Sequence, residues 1–157
     1  MSDPQLLLAS AIRRCEGYCD LKMWEAAWEE LEALPSELKQ DLTVLTWRMQ
    51  IQMGMGEHQK ASFIGLSLVQ QFPKKLGVLL LTAECLINTK DFQTASQLLR
   101  NGLPSLPDQA DLWLTLARVE ALRGQNEAAR ECVRQYVTLN PEAKAHVLTI
   151  PELAEIW

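Results

Sequence analysis

No stretch of this chain alternates apolar and polar residues with the period of two that a half-buried strand needs, and valine and isoleucine are sparse. Apolar residues instead recur at three- and four-residue steps, between breaks marked by proline and glycine. Asp3-Pro4 offers an N-cap and a first-turn proline for a helix from about Pro4 to Cys19. A second helix, from about Met23 to Leu34, stops before Pro35. Ser36 is placed to cap a third, which continues to about Met53, where Gly54 and Gly56 interrupt the chain. A fourth reaches Phe72 and ends at Pro73. Leu76–Asn88 and Asp91–Leu103 make the next pair, closed by Pro104 and Pro107. Asp108 is placed to cap a helix to about Arg123, Gly124 turns the chain, and Asn126–Leu139 forms the eighth. Asn140-Pro141-Glu142 starts a ninth, and Pro151 leaves Glu152–Trp157 as a short last turn.

Helices of this length, joined by short links, must lie antiparallel to their neighbours. One such pair cannot bury both of its faces, so successive pairs are expected to stack into a solenoid. The spacing of small residues supports this. Ala27, Ala61, Ala95 and Ala129 stand 34 residues apart, and Pro73, Pro107 and Pro141 keep the same step. Small side chains let two helices approach closely, and Cys15, Met49, Ala83 and Ala117 fall at the facing positions.

Written out by repeat, the last reads Trp113-x-x-Leu116-Ala117, Gly124, Ala129-x-x-x-Val133 and Pro141. The third has Leu79, Ala83, Leu86, Ala95, Leu99 and Pro107; the second has Leu45, Met49, Gly56, Ala61, Gly65 and Pro73. The first has Ala11, Cys15, Tyr18, Ala27 and Leu31. This pattern resembles the tetratricopeptide repeat, W-x2-L-G-x2-Y…A-x3-F…P over 34 residues. The resemblance runs from about Leu8 to Pro141 and implies an all-α fold, a right-handed α-α superhelix of antiparallel helix pairs. It divides residues 1–157, read as a single domain, into repeats at about 8–41, 42–75, 76–109 and 110–141, with a capping helix over 142–157. Ala143, Val147 and Leu148 are expected to form the stripe of that cap, with Leu153, Ile156 and Trp157 folded back onto it. The first two repeats depart from the pattern. Arg14 and Arg48 stand where leucine is usual, Lys39 stands for proline, and Gly65 replaces an aromatic residue and makes room for Met49.

In that family the first helix of each pair lines a concave surface that receives ligands. One stripe of each first helix packs on its partner, and a second at i, i+4, i+7 faces elsewhere. The second stripe reads Ile12-Glu16-Cys19, Thr46-Gln50-Met53, Leu80-Glu84-Ile87 and Leu114-Arg118-Ala121. It is more apolar than a solvated face requires. Three occupants fit such a groove: the chain's own tail, a second copy of the chain, or a partner peptide with apolar anchors and polar groups facing Glu16, Glu84 and Arg118. The carboxylate clamp used by chaperone-binding members needs Lys and Asn, but Ile12, Glu16, Gln50, Trp47, Gly77 and Leu81 stand at the matching places. Ala83-Glu84-Cys85-Leu86 is similar to a stretch of the small acidic chaperones of type III secretion.

Charge and chemistry narrow the reading. The net charge of −5 argues against nucleic acid, whose phosphates need a basic face. The longest apolar run, Leu76–Ala83, is too short to span a membrane, and Asp3 and Pro4 replace the basic start of a signal peptide. Cys15, Cys19, Cys85 and Cys132 form no CxxC pair and read as small buried or half-buried thiols in a reducing cytoplasm. His58 and His146 lie in different repeats and read as solvated, and the Glu25–Glu32 carboxylates read as one solvated helix face. Trp24 takes a core position, whereas Trp28 falls nearer the outer face, either as an exposed anchor or partly buried. No nucleophile, metal or phosphate motif appears. The expectation is a cytoplasmic, non-enzymatic scaffold without cofactor that binds a protein or peptide; the alternative is self-association as a homodimer.

Overall fold

The computed structural model describes residues 3–156. Among them are ten α-helices and two 3-10 turns, and no strand. The helices are α1 (Pro4–Asp20), α2 (Trp24–Glu32), α3 (Leu42–Gly54), α4 (His58–Gln71), α5 (Leu76–Asn88), α6 (Phe92–Gly102), α7 (Ala110–Leu122), α8 (Asn126–Leu139), α9 (Lys144–Val147) and α10 (Pro151–Ala154). The chain forms two compact units, divided after Leu68 within α4.

In the first unit, α1 packs on α2 and both meet α3. Asp3 caps α1 by accepting from the Gln5 N–H at 2.9 Å, with Pro4 opening the helix. The start of α3 differs from expectation. Ser36 does not cap it; residues 35–41 wind through turns, with the Leu38 N–H donating to the Pro35 carbonyl at 2.9 Å. The cap is Asp41, which accepts from the Thr43 N–H at 2.8 Å. Its carboxylate satisfies an orphan donor and complements the helix dipole, while the turn lets Leu34 and Leu38 both reach the core. That core joins Ala11 and Cys15 of α1 to Ala27 and Leu31 of α2 and Val44 and Ile51 of α3. Trp24 packs against it, and its ring lies where a Cβ on Gly54 would fall, 2.5 Å from the ring carbon Cζ2.

The two arginines that break the leucine pattern have local partners. Arg14 donates to Glu30 at 2.7 Å and to Ser10 at 2.6 Å. Arg48 is paired with Glu32 at 2.7 Å, and its guanidinium lies 4.6 Å from the Trp28 ring centroid. Trp28 is therefore half-buried beneath a cation rather than a bare anchor.

In the second unit, α5 packs on α6, both meet α7, and α7 packs on α8. Asp108 does not cap α7; Gln109 precedes the helix without a side-chain cap bond. The Trp113 indole donates to the Pro107 carbonyl at 2.9 Å and fixes that entry instead. The expected ninth helix is a 3-10 turn, Pro141–Ala143, followed by the single turn α9. Val147 and Leu153 are fully buried, but Leu148 is 55% exposed and takes no part in the cap. A one-turn helix has too few residues to bury a continuous stripe. Trp157 lies outside the described residues.

The close-approach positions behave as the 34-residue step requires. Cys15, Met49, Ala83 and Ala117 are all 0% exposed, as are Ala27, Ala61, Ala95 and Ala129. Gly65, expected to give Met49 room, is buried as well. A second regularity lies in the turns. Lys22, Gly56, Lys90 and Gly124, again 34 apart, all have left-handed backbones, with φ of 58°, 80°, 63° and 76°. Two repeats thus hold in lysine a conformation that glycine adopts without steric cost.

Candidate protein-interaction faces

The stripe residues stand on neighbouring first helices within each unit. In the first unit, α1 and α3 are neighbours. Ile12 is half-buried against the core, and Glu16 and Gln50 are exposed. Thr46 and Met53 are half-buried, and the Thr46 hydroxyl donates to the Leu42 carbonyl at 2.8 Å. Thr46 thus spends its donor inside its own helix. Cys19 is half-buried, and burial pushes its thiol pKa up.

In the second unit, α5 and α7 are neighbours, and Leu80, Ile87 and Leu114 are half-buried. Glu84 and Arg118, 34 residues apart, form an ion pair at 3.1 Å. The tail enters the same face: α10 packs on α7, and Glu152 lies 3.5 Å from Arg118. Burial works against the Arg118 charge, but the two carboxylates outweigh it and hold the guanidinium above its ordinary range. Arg130 donates to the Ile156 carbonyl at 2.7 Å and ties the end of the tail to α8. Glu152 stands one further 34-residue step after Arg118, at the same place in the register, but in the tail beyond the last repeat, so the repeat pattern alone did not mark it as a partner.

The second unit also holds a buried charge. Glu120 is 1% exposed and accepts from Ser96, with Arg123 at 3.1 Å and Arg100 at 3.4 Å. The histidines differ from each other. His146 is exposed near Thr149, whereas His58, expected to be solvated, has a buried Nδ1 with no hydrogen-bond partner among the described residues. Among the described residues, no three His, Cys, Asp or Glu side chains group as metal ligands would. None of their helices is long and apolar enough to cross a membrane.

No family model matches the sequence, and no curated protein does either. Solved structures do match. A thermophilic TPR protein of Thermus thermophilus superposes with a TM-score of 0.71 at 22% identity, over 98% of this chain and 81% of that one. A tetratricopeptide repeat protein from Parabacteroides merdae gives a TM-score of 0.79 at 16% identity, over 96% of this chain and 60% of that one. The chain has the tetratricopeptide-repeat fold. MamA from Desulfovibrio magneticus RS-1 shares it, with a TM-score of 0.75 at 19% identity over 94% of this chain and 82% of its own. In this fold the buried alanines and the regular turns of every repeat have one common explanation: the architecture is an all-α repeat solenoid.

Proposed function

We propose that the chain is a non-enzymatic scaffold that holds a peptide or helix of another protein against the second stripes of its first helices. The observation that carries this reading is the half-exposed apolar set Leu80, Ile87 and Leu114, flanked by the charged pair Glu84 and Arg118 on adjacent helices of one unit. Apolar anchors between charged groups suit an amphipathic segment. Ile12, Glu16, Thr46, Gln50 and Met53 offer the corresponding surface in the first unit. A segment bound over α7 meets an arginine already engaged by Glu152, so it competes with the tail. The reading needs no cofactor. The net charge of −5 speaks against nucleic acid, and the four free cysteines suit a reducing cytoplasm.

The test is the double variant Leu80→Arg, Leu114→Glu. Its circular dichroism and melting should match the native chain, while a protein captured from source lysate by the native chain should be lost. An unfolded variant would mean that these residues are core. A stable dimer by light scattering, with no co-purifying protein, would replace the scaffold by self-association.

A further inference from the structure

The first unit contains a cleft of about 400 Å³ between α2, the end of α3 and the start of α4. It uses Gln52 and Met55, whereas the α3 stripe uses Thr46, Gln50 and Met53. Three carboxylates, Glu25, Glu29 and Glu57, line it against one cation, Lys60. Lys60 is committed to Glu57 at 3.0 Å. Glu25 and Glu29 have no ion-pair partner among the described residues and stand one turn apart on α2, where like charges repel. The cleft therefore carries uncompensated negative charge.

Gln52 supplies an independent sign of a ligand. Gln52 lines the cleft, it is only 9% exposed, and its Oε1 is buried with no donor among the described residues. Buried acceptors are ordinarily satisfied. The terminal amide turns about a broad two-fold torsion, so a donor entering the cleft can meet its oxygen. Trp28 lines the cleft too, and its ring already holds the guanidinium of Arg48, which does not line it. Met55, 42% exposed, adds an apolar wall.

We infer that this cleft receives an arginine side chain of a partner protein, its guanidinium between Glu25, Glu29 and the Gln52 amide and its aliphatic stem along Trp28 and Met55. A guanidinium brings several donors in a planar fork and a permanent positive charge, and its aliphatic stem covers apolar wall. The volume suits one long side chain with its neighbouring backbone. An adjoining hollow of about 520 Å³ shares Glu25, Glu29 and Met55 and continues over Trp24 and Met23 to Lys22. Apolar ground ending in a cation suits the rest of a polypeptide and disfavours a polyamine, which carries further positive charges.

The experiment is a nuclear magnetic resonance titration of the full chain with acetyl-Leu-Arg-Leu-amide at physiological salt. The Gln52 side-chain amide and the Trp28 indole should shift together and saturate. The citrulline peptide, close in shape but neutral, should bind about tenfold more weakly or worse. Glu25→Gln with Glu29→Gln should weaken the arginine peptide similarly while leaving circular dichroism unchanged. Equal responses to arginine and citrulline, or no saturation with either, overturn the inference. Tighter saturation of the Gln52 signal by spermine also overturns it, by giving the cleft to a free polyamine.

Discussion

A single Cβ separates two glycines that look alike in the sequence. At Gly54 an added methyl would meet the face of the Trp24 ring, with Cζ2, Cε2 and Cδ2 at 2.5–2.7 Å. A rigid indole cannot yield without leaving the core. At Gly102 the obstacle is Leu79 Cδ2 at 2.5 Å, the far end of a flexible side chain. Gly54→Ala should therefore destabilise by about 1–3 kcal/mol through overpacking. Gly102→Ala should change stability by less than about 1 kcal/mol, since Leu79 can rotate and alanine improves the helix. Urea denaturation of the two variants checks this; equal losses would mean that Trp24 yields as readily as Leu79. Read locally, Gly54 is only a helix breaker, because no neighbouring residue says that Trp24, thirty residues earlier, lies over it.

Elements were legible where their ends carry strong chemical signals. Leu76–Asn88 and Asn126–Leu139 fall on the expected limits, between proline, glycine and asparagine. The start of α3 did not, because Ser36 and Asp41 both qualify as caps and the choice depended on burying Leu34 and Leu38. Nor did the pattern reveal that Glu120 of α7 is buried, with Ser96 and Arg100 of α6 and with Arg123 beyond the helix end. Glu120→Ala removes the common acceptor and leaves the buried Ser96 hydroxyl with nothing to donate to, although its oxygen still accepts from Arg123 at 3.1 Å. It should cost about 3 kcal/mol, at the low end for a broken buried pair, since both arginines keep a path to water. An unchanged urea midpoint would mean that the network contributes nothing to holding α6 and α7 together.

Across the whole molecule, both units bury thiols, Cys15 in the first and Cys85 and Cys132 in the second. Burial pushes Cys15 up to about 12, with Cys19 beside it adding to the shift, and pushes Cys85 and Cys132 to about 11. Their ordinary value is 9.0, so between pH 9 and 11 the folded chain holds protons that the unfolded chain has lost. The stability tied to these thiols is full below pH 9 and falls as pH rises through the folded values. Thermal melting should drop across pH 9–11, and less steeply in Cys85→Ala, Cys132→Ala; parallel profiles would mean that other groups cause the decline.

The sequence by itself determined the repeat. Closely packed helices tolerate only small residues where they meet, so the 34-residue step of Ala27, Ala61, Ala95 and Ala129 is a direct imprint of the stacking. It also determined which helix faces turn inward. Tertiary structure alone decided the pairings: Arg48 over Trp28, Glu152 beside Arg118, and Gln52 in a wall of carboxylates. Arg48 and Trp28 share no period, and the 34-residue step from Arg118 to Glu152 does not by itself specify an ion pair. Long polar side chains reach several neighbours with similar energy, and only the packed backbone selects among them.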